Sequence, residues 1–220
     1  MVLINIKPNE DKFFAILASN FRTVSDMNQG KNQHHKKAQA GSIRIIAGKH
    51  RGRKLPVLAA EGLRPTTDRV KETVFNWLMP YIHKAYCLDC YAGAGSLGFE
   101  ALSRGAEQVT LIELNKTAAK QLQANKALLN ADNITVKHND VVTFLKNKPE
   151  QTFDIVFIDP PFRQNLVSQT AQLLAQGWLS KQALVYLETE IAAEQLLPNN
   201  WQLLKEKIAG QVAYRLYQVQ

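Results

Sequence analysis

The sequence predicts an α/β protein with a doubly wound, mostly parallel sheet. From residue 85 onward, short apolar runs typical of buried strands alternate with helix-forming stretches. The first unit, residues 85–113, reads strand, glycine-rich turn, helix, strand and acid, which is the first half of such a fold. Near the C-terminus, residues 201–207 and 212–219 predict an antiparallel strand pair around Gly210.

Each element of the main domain has a local signal. Thr66 or Thr67 can cap the first helix, and Asn115 can cap the helix after the second strand. Residues 153–158 are nearly all apolar, as in a strand that is buried on both faces. In chain order we expect a helix to about residue 78, strand 85–88, helix 97–104, strand 109–112, a helix to about residue 130, strand 134–137, a helix over 141–145, strand 153–158, helix 165–176 and strand 183–187.

Three regions are predicted along the chain. Residues 1–40 are expected to be an extension, partly disordered because its second half is polar. Met27 is a possible alternative start within it. A small basic β-hairpin is expected over residues 41–62, followed by the main α/β domain over residues 63–220.

The composition fits one domain with a sizeable core, since 45% of the 220 residues are hydrophobic. No stretch approaches the roughly 20 consecutive apolar residues that a membrane helix needs. Charged residues such as Lys7 and Glu10 interrupt any signal-peptide core near the N-terminus. We therefore expect a cytoplasmic protein without a membrane partner.

Cys87 and Cys90 form a C-x-x-C motif, which is also found in redox pairs and in zinc sites. No second cysteine pair exists to complete a zinc site. Both cysteines fall on or beside the first predicted strand, where positions three apart point to opposite faces. We interpret them as core residues and expect no bound metal.

Positive charge is concentrated in one part of the chain. Residues 31–72 contain eleven basic and three acidic residues, an excess of eight that equals the formal net charge of the whole chain. Such a local excess favours a polyanionic partner, although a solvated charged face is the plainer alternative. Within the predicted hairpin, the candidates for contact with phosphates are Arg44, Lys49, Arg51, Arg53 and Lys54.

A glycine-rich turn, with Gly93, Gly95 and Gly98, follows the first strand and Asp89. Glycine lets the backbone turn tightly and approach a ligand closely, as in a Rossmann fingerprint. Glu113, at the end of the next strand, is placed to accept hydrogen bonds from ribose hydroxyls. This loop alone does not distinguish NAD from S-adenosylmethionine, and it could also be a sharp turn without a ligand.

A second motif, Asp159-Pro160-Pro161-Phe162, ends the fourth strand of the main domain. The Asp159 carboxylate and the Pro160 carbonyl are two acceptors that suit the two N–H groups of a planar exocyclic amine. Phe162 offers a flat face on which a base can stack. The motif falls where ligands bind in such sheets, which favours amine methylation over a proline-rich loop without chemistry.

Five stretches of the chain together resemble one family. They are GSIRIIAGKHRGRKLPV, LRPTTDRVKETVFNWL, CLDCYAGAGSLGFEALSRGA, FDIVFIDPPF and AGQVAYRLYQ. They are similar to the RsmD family of 16S ribosomal RNA guanine-N2 methyltransferases, which have a class I, Rossmann-like fold and use S-adenosylmethionine. The resemblance runs from about Ser42 to the C-terminus and leaves out residues 1–40.

The resemblance implies roles for the cofactor residues. Asp89, Gly93 and Gly95 would shape the cofactor loop, Glu113 would bind the ribose, and Asp140 would meet the adenine amine. The family is expected to use S-adenosylmethionine and no metal.

The resemblance also implies how the substrate is held. Asp159, Pro160 and Phe162 would hold the target guanine, and the basic hairpin would grip 16S ribosomal RNA. A base in structured RNA must be splayed out or flipped to reach such a pocket. The expected substrate is a partly assembled small ribosomal subunit, and the enzyme is expected to be a monomer.

Three other functions remain open at the level of sequence. The nearest is an amino methyltransferase acting on DNA adenine or protein glutamine. The chain lacks an obvious DNA-recognition domain, and the glutamine enzymes usually carry Asn where this chain has Asp159. A dehydrogenase would need a placed proton donor, for which His83 and His138 are weak candidates. A non-catalytic RNA-binding module is the third, and the intact Asp159-to-Phe162 motif argues against it.

Overall fold

The computed structural model describes residues 41–57, 68–161, 166–191, 193 and 195–220. The expectations for residues 1–40, for the caps Thr66 and Thr67 and for Phe162 lie outside these residues. No described helix is both long and apolar enough to cross a membrane.

Nine strands and five helices make up the described part of the chain. The strands are β1 Gly41–Arg44, β2 Lys54–Val57, β3 Tyr86–Asp89, β4 Gln108–Glu113, β5 Ile134–His138, β6 Phe153–Ile158, β7 Leu179–Glu190, β8 Trp201–Ala209 and β9 Val212–Val219. The helices are α1 Asp68–Leu78, α2 Ser96–Ser103, α3 Lys116–Leu128, α4 Val141–Leu145 and α5 Leu166–Leu174. Each agrees with a predicted element to within a few residues, apart from the ends of β7.

Seven strands form one sheet in the order β5-β4-β3-β6-β7-β9-β8. The strands from β5 to β7 are parallel, and β9 runs antiparallel to both β7 and β8. The prediction of a mostly parallel sheet with an antiparallel C-terminal pair is confirmed. The direction of winding reverses between β3 and β6, and this crevice is where ligands bind in sheets of this kind.

Strand β7 is longer than predicted, since it spans Leu179–Glu190 and not only residues 183–187. Its last three residues are polar, and apolar periodicity therefore gave no sign of them. They are held in the sheet by β9, where Glu188 pairs with Tyr214 and Glu190 with Val212. Pairing with a strand that is distant in the sequence thus extends β7 beyond its apolar run.

The sheet separates two hydrophobic clusters. Residues of α1, α2 and α3 belong to one cluster, and residues of α4 and α5 belong to the other. Cys87 lies in the first cluster and Cys90 in the second, and both are buried free thiols. Burial raises the pKa of each thiol, which favours the unreactive protonated form. The interpretation as core cysteines on opposite faces is confirmed.

The basic hairpin forms as predicted, with Ile43 opposite Leu55 in an antiparallel pair. It is fixed to the main domain through α2. The buried Glu100 carboxylate accepts hydrogen bonds from the backbone N–H of Ile46 at 2.8 Å and of Ala47 at 3.1 Å. A Cβ at Gly48 would lie 1.8 Å from the Ser103 carbonyl oxygen, so only glycine permits this approach.

Helix α1 packs on the sheet and also holds the hairpin. The Phe75 ring lies 5.9 Å from the Phe157 ring of β6. Lys71 is almost completely buried, and its Nζ donates to the Arg44 carbonyl oxygen at 2.6 Å. Sequence periodicity assigned α1 an apolar face but missed this lysine, because its partner is 27 residues away.

Candidate active site

Acidic side chains cluster at the carboxyl edge of the parallel strands. Asp89 ends β3 and Glu113 ends β4, while Asp140 follows β5 and Asp159 follows β6. Because β3 and β6 are neighbours, with Asp89 opposite Phe157, the glycine-rich turn lies beside the Asp159 loop. The structure therefore brings the two sequence motifs together at the crevice where the winding reverses.

The glycine-rich turn, which we call the cradle, packs too closely against the rest of the protein to admit side chains at Gly95 and Gly98. Gly93 and Gly95 have φ angles of 51° and 80°, in the left-handed region that favours glycine. A Cβ at Gly95 would lie 2.5 Å from the Phe99 ring, and one at Gly98 would lie 2.2 Å from Leu111 Cδ2. The turn thus depends on glycine both for its backbone conformation and for the close packing of α2 on the sheet.

Asp89 holds this turn through hydrogen bonds to backbone N–H groups. Its carboxylate is buried and accepts the backbone N–H of Gly98 at 3.1 Å and that of Tyr91. The pKa of Asp89 is raised to about 7, mainly by desolvation and also by the nearby Glu113 charge, while the hydrogen bonds from the two N–H groups oppose the shift. These contacts tie the turn and the start of α2 to the end of β3.

Glu113 links the turn to the start of α3. One carboxylate oxygen accepts the Gly93 N–H at 2.8 Å, and the other accepts the Asn115 N–H at 2.7 Å. Each oxygen has a second lone pair with which it can accept a hydroxyl hydrogen. The side chain is half-buried at the carboxyl edge of the sheet.

Asp140 caps α4, since its Oδ2 accepts the Thr143 N–H at 2.7 Å. The second oxygen lies on a half-buried side chain at the same edge and can accept a further hydrogen bond. Capping by Asp140 was not predicted, although Asp is among the preferred capping residues.

The residues present fit a nucleoside cofactor. The Ser96 hydroxyl, in the first turn of α2, is buried and has no hydrogen-bond partner in the described part of the chain. It follows Gly95 directly, so an unsatisfied donor stands at the cradle. Glu113, Asp140 and Ser96 together offer polar groups of the kind that a ribose, an adenine and a charged tail require.

Asp159 follows the end of β6 and is half-buried, while Pro160 is buried and Pro161 is exposed. Desolvation raises the pKa of Asp159, and the neighbouring charges of Glu188 and Asp89 raise it further. Two acceptors of the predicted amine site, the carboxylate and the Pro160 carbonyl, therefore stand in a confined acidic setting.

Glu188 is a site residue that the sequence did not indicate. Ile158 pairs with Leu187, which places Glu188 of β7 in the row next to Asp159 of the β6 loop. The Tyr186 hydroxyl donates to a Glu188 oxygen at 3.1 Å, and burial raises the pKa of Tyr186 so that it keeps its proton. The only signal was the acidic Glu188-Thr189-Glu190 sequence after an apolar strand.

Tyr91 is a second residue that was missed. It follows β3 within the glycine-rich turn, and its hydroxyl is 2.7 Å from Thr170 Oγ1 of α5. This bond fixes the turn to the helix that follows the Asp159 motif. No spacing rule pointed to it, because the two residues are 79 positions apart.

The five basic hairpin residues are all exposed. Arg44 and Lys54 lie in the two strands, and Lys49, Arg51 and Arg53 lie in the turn between them. The Arg53 guanidinium donates to the Leu128 carbonyl oxygen at 3.0 Å, so it also ties the turn to the end of α3. The structure thus presents one basic surface that is held rigidly beside the main domain.

This strand order and the cradle beside the Asp159 motif define a class I methyltransferase fold. The family described as Conserved hypothetical protein 95 matches residues 43–218. The ribosomal RNA small subunit methyltransferase D of Haemophilus influenzae is 57% identical over 182 residues, covering 81% of this chain and 94% of the relative. The chain belongs to this family, and the resemblance seen in the sequence is confirmed.

Another relative and two solved structures are also similar to this chain. The protein of the same name from Escherichia coli K12 is 54% identical over 181 residues, covering 81% of this chain and 91% of the relative. The solved structure of Escherichia coli yhhF superposes with a TM-score of 0.78 at 51% identity, covering 82% of this chain and 99% of that chain. A Thermus thermophilus 16S rRNA N2 G1207 methyltransferase, in complex with AdoMet and guanosine, shares the fold at 21% identity and a TM-score of 0.60, covering 83% of this chain and 50% of that chain.

Proposed function

We propose that this protein transfers a methyl group from S-adenosylmethionine to the exocyclic N2 of a guanine in 16S ribosomal RNA, within a small subunit or its assembly intermediate. The observation that carries the proposal is the meeting of the glycine-rich cradle and the Asp159-Pro160 acceptors at the crevice between β3 and β6. The names of the relatives, which specify ribosomal RNA of the small subunit, support the substrate class.

Four residues are proposed to hold the cofactor. Glu113 binds the ribose hydroxyls, Asp140 accepts from the adenine amine, and Gly93 and Gly95 leave room for close approach of the backbone. Asp89 acts indirectly by fixing the turn. The cofactor supplies a methyl group on a sulfonium, which is already activated, so the protein needs mainly to align the reacting atoms.

Asp159, Pro160 and Phe162 are proposed to hold the guanine. A ring-conjugated amine is a poor nucleophile, and two acceptors on its hydrogens draw electron density back to the nitrogen. Attack by this neutral amine leaves a surplus proton on nitrogen, which the Asp159 carboxylate accepts. The role of Phe162 as a stacking platform is inferred from its side chain and its place after Pro161.

The RNA is proposed to contact the exposed hairpin residues Arg44, Lys49, Arg51, Arg53 and Lys54. Phosphate contacts position a substrate, while the amine pocket selects the base. Because the hairpin is attached to α2 through Glu100, its position relative to the pocket is set by the fold.

The proposed function is tested by transfer of labelled methyl from S-adenosylmethionine to small subunits from cells that lack this activity. Free ribosomal RNA and DNA are assayed in parallel, and each product is digested to nucleosides. We expect N2-methylguanosine from the ribosomal substrate and a drop in turnover of about a hundredfold in D159A, with cofactor affinity retained. Methyladenine in DNA, or full turnover by D159A, would contradict the proposal.

A further inference from the structure

We propose that the RNA also contacts a second basic surface, formed by Arg69 of α1 and by Lys205 and Lys207 of β8, which we call the C-terminal strip. This inference rests on the proposed function, because it takes the substrate to be RNA. The strip lies on the opposite side of α1 from the hairpin, so the two surfaces would flank the RNA segment that delivers the target base.

The sheet register places the strip in line with the active site. Ile158 pairs with Leu187, which pairs with Arg215, and Arg215 pairs with Glu206. One residue further along, Glu188 pairs with Tyr214, which pairs with Lys207. Lys207 therefore lies in the same row as Asp159, three strand spacings or about 14 Å away along the edge of the sheet.

The two lysines face α1. Lys205 pairs with Leu216 and Lys207 with Tyr214, and both partners belong to the hydrophobic cluster on the α1 side of the sheet. Residues that pair directly across strands point to the same face. Lys207 Nζ accordingly lies 3.2 Å from Thr73 Oγ1 of α1, as a hydrogen-bond donor to it.

Helix α1 joins the strip to the hairpin. Thr73 Oγ1 donates to the Arg69 carbonyl oxygen at 3.0 Å, so Arg69 lies one helical turn before the Lys207 contact. On the other side, Lys71 Nζ donates to the Arg44 carbonyl oxygen at 2.6 Å. Contacts therefore run from the hairpin across α1 to β8 without a break.

The charges of the C-terminal strip favour binding of a polyanion. Arg69, Lys205 and Lys207 are all exposed, and none forms an ion pair with another described residue. The acidic residues nearby are engaged elsewhere: Asp68 pairs with Lys71 at 3.4 Å, and Glu206 points to the other face, where it pairs with Arg215. Glu188 lies in the same row as Lys207 but two strands away, and it accepts the Tyr186 hydroxyl. Glu72 is the one exposed acid that remains among the described residues of α1.

Lysines on an edge strand also have a plainer use, because they discourage pairing with another chain. That role predicts no effect on substrate binding. A contact with phosphates instead predicts a change in the apparent affinity for the ribosomal substrate and in its dependence on salt. The two explanations are therefore separated by measurement.

The test compares K205Q/K207Q with K146Q/K148Q, a control pair of exposed lysines with the same spacing that lies beyond α4 on the other face. We expect KM for the small subunit to rise about tenfold in K205Q/K207Q, with kcat and cofactor affinity unchanged. The slope of log affinity against log salt should fall by about 1.5, as for the loss of two phosphate contacts. The control should match the wild type.

The variant K205R/K207R retains both charges and is expected to keep the wild-type KM. If K205Q/K207Q behaves like the control, or if its melting temperature falls in step with its activity, the strip has no part in RNA binding. Wild-type protein that methylates no ribosomal substrate would instead remove the proposed function. The two failures are thus distinguishable.

Discussion

At the scale of single residues, the main feature of the site is the Asp159 carboxylate, whose surroundings disfavour the ionised form. In the proposed mechanism, Asp159 must be ionised to accept one of the two amine hydrogens and then the surplus proton. Desolvation and the charges of Glu188 and Asp89 raise its pKa, so the ionised form is lost at a higher pH than for an ordinary aspartate. The negative charge of Glu188 is thus one cause of the raised pKa of Asp159.

We predict that E188Q shifts the acidic limb of the kcat profile to lower pH. Removing a neighbouring negative charge favours the ionised form of Asp159 and therefore lowers its pKa. The measurement is kcat for methyl transfer between pH 5 and 9, at saturating substrate. The matched control is E190Q, two residues further along β7; an equal shift in both variants, or none in E188Q, would count against this role.

At the scale of elements, the hairpin is docked on α2 by contacts that a Cβ would break. Gly48 and Gly52 have nearly equal φ angles, 80° and 83°. A Cβ at Gly48 would meet the Ser103 carbonyl oxygen at 1.8 Å, whereas a Cβ at Gly52 has no atom within 4 Å among the described residues. Substituting alanine at each position therefore distinguishes the effect of backbone strain from the effect of losing the contact between the hairpin and α2.

We predict that G48A destabilises the protein more than G52A does and weakens RNA binding, while cofactor affinity is unaffected. Backbone strain alone costs about 1–2 kcal/mol in either variant. The steric contact in G48A adds about 2 kcal/mol or displaces the hairpin from α2. Urea unfolding and RNA titration check this, and equal losses in the two variants would show that docking is unimportant.

At the scale of the whole molecule, the site is assembled from the ends of β3, β4, β6 and β7 and from the turn after β5. A ligand that contacts several of these segments binds only the folded state. Its binding free energy therefore adds to the stability of the entire domain.

We predict that S-adenosylhomocysteine, at a hundred times its Kd, raises the free energy of unfolding by about 2.7 kcal/mol. For a domain of this size the melting temperature should rise by about 5–10 °C. E113A should lose most of this increment, because Glu113 holds Gly93 and is proposed to bind the ribose. E107A, at the opposite edge of the sheet, is the control, and an increment that survives in E113A would exclude Glu113 from the cofactor site.

The helices, the strands and the two motifs could be predicted from the sequence alone, because their signals are local. The apolar run of β6, the Asn115 cap of α3 and the glycines of the turn each act within a few residues. The family resemblance rests on the same stretches. Strand boundaries were accurate wherever an apolar run ends at the edge of the sheet.

Contacts between distant residues could not be predicted from the sequence and are known only from the folded structure. Glu188 next to Asp159, Glu100 beneath the hairpin and Lys207 beside Thr73 are set by strand register and packing between segments up to 134 positions apart. Each is a polar group whose partner is supplied by another element, and a polar residue carries no periodic signal of where its partner lies. Hydrogen bonding and charge across the sheet, not local propensity, therefore complete the site.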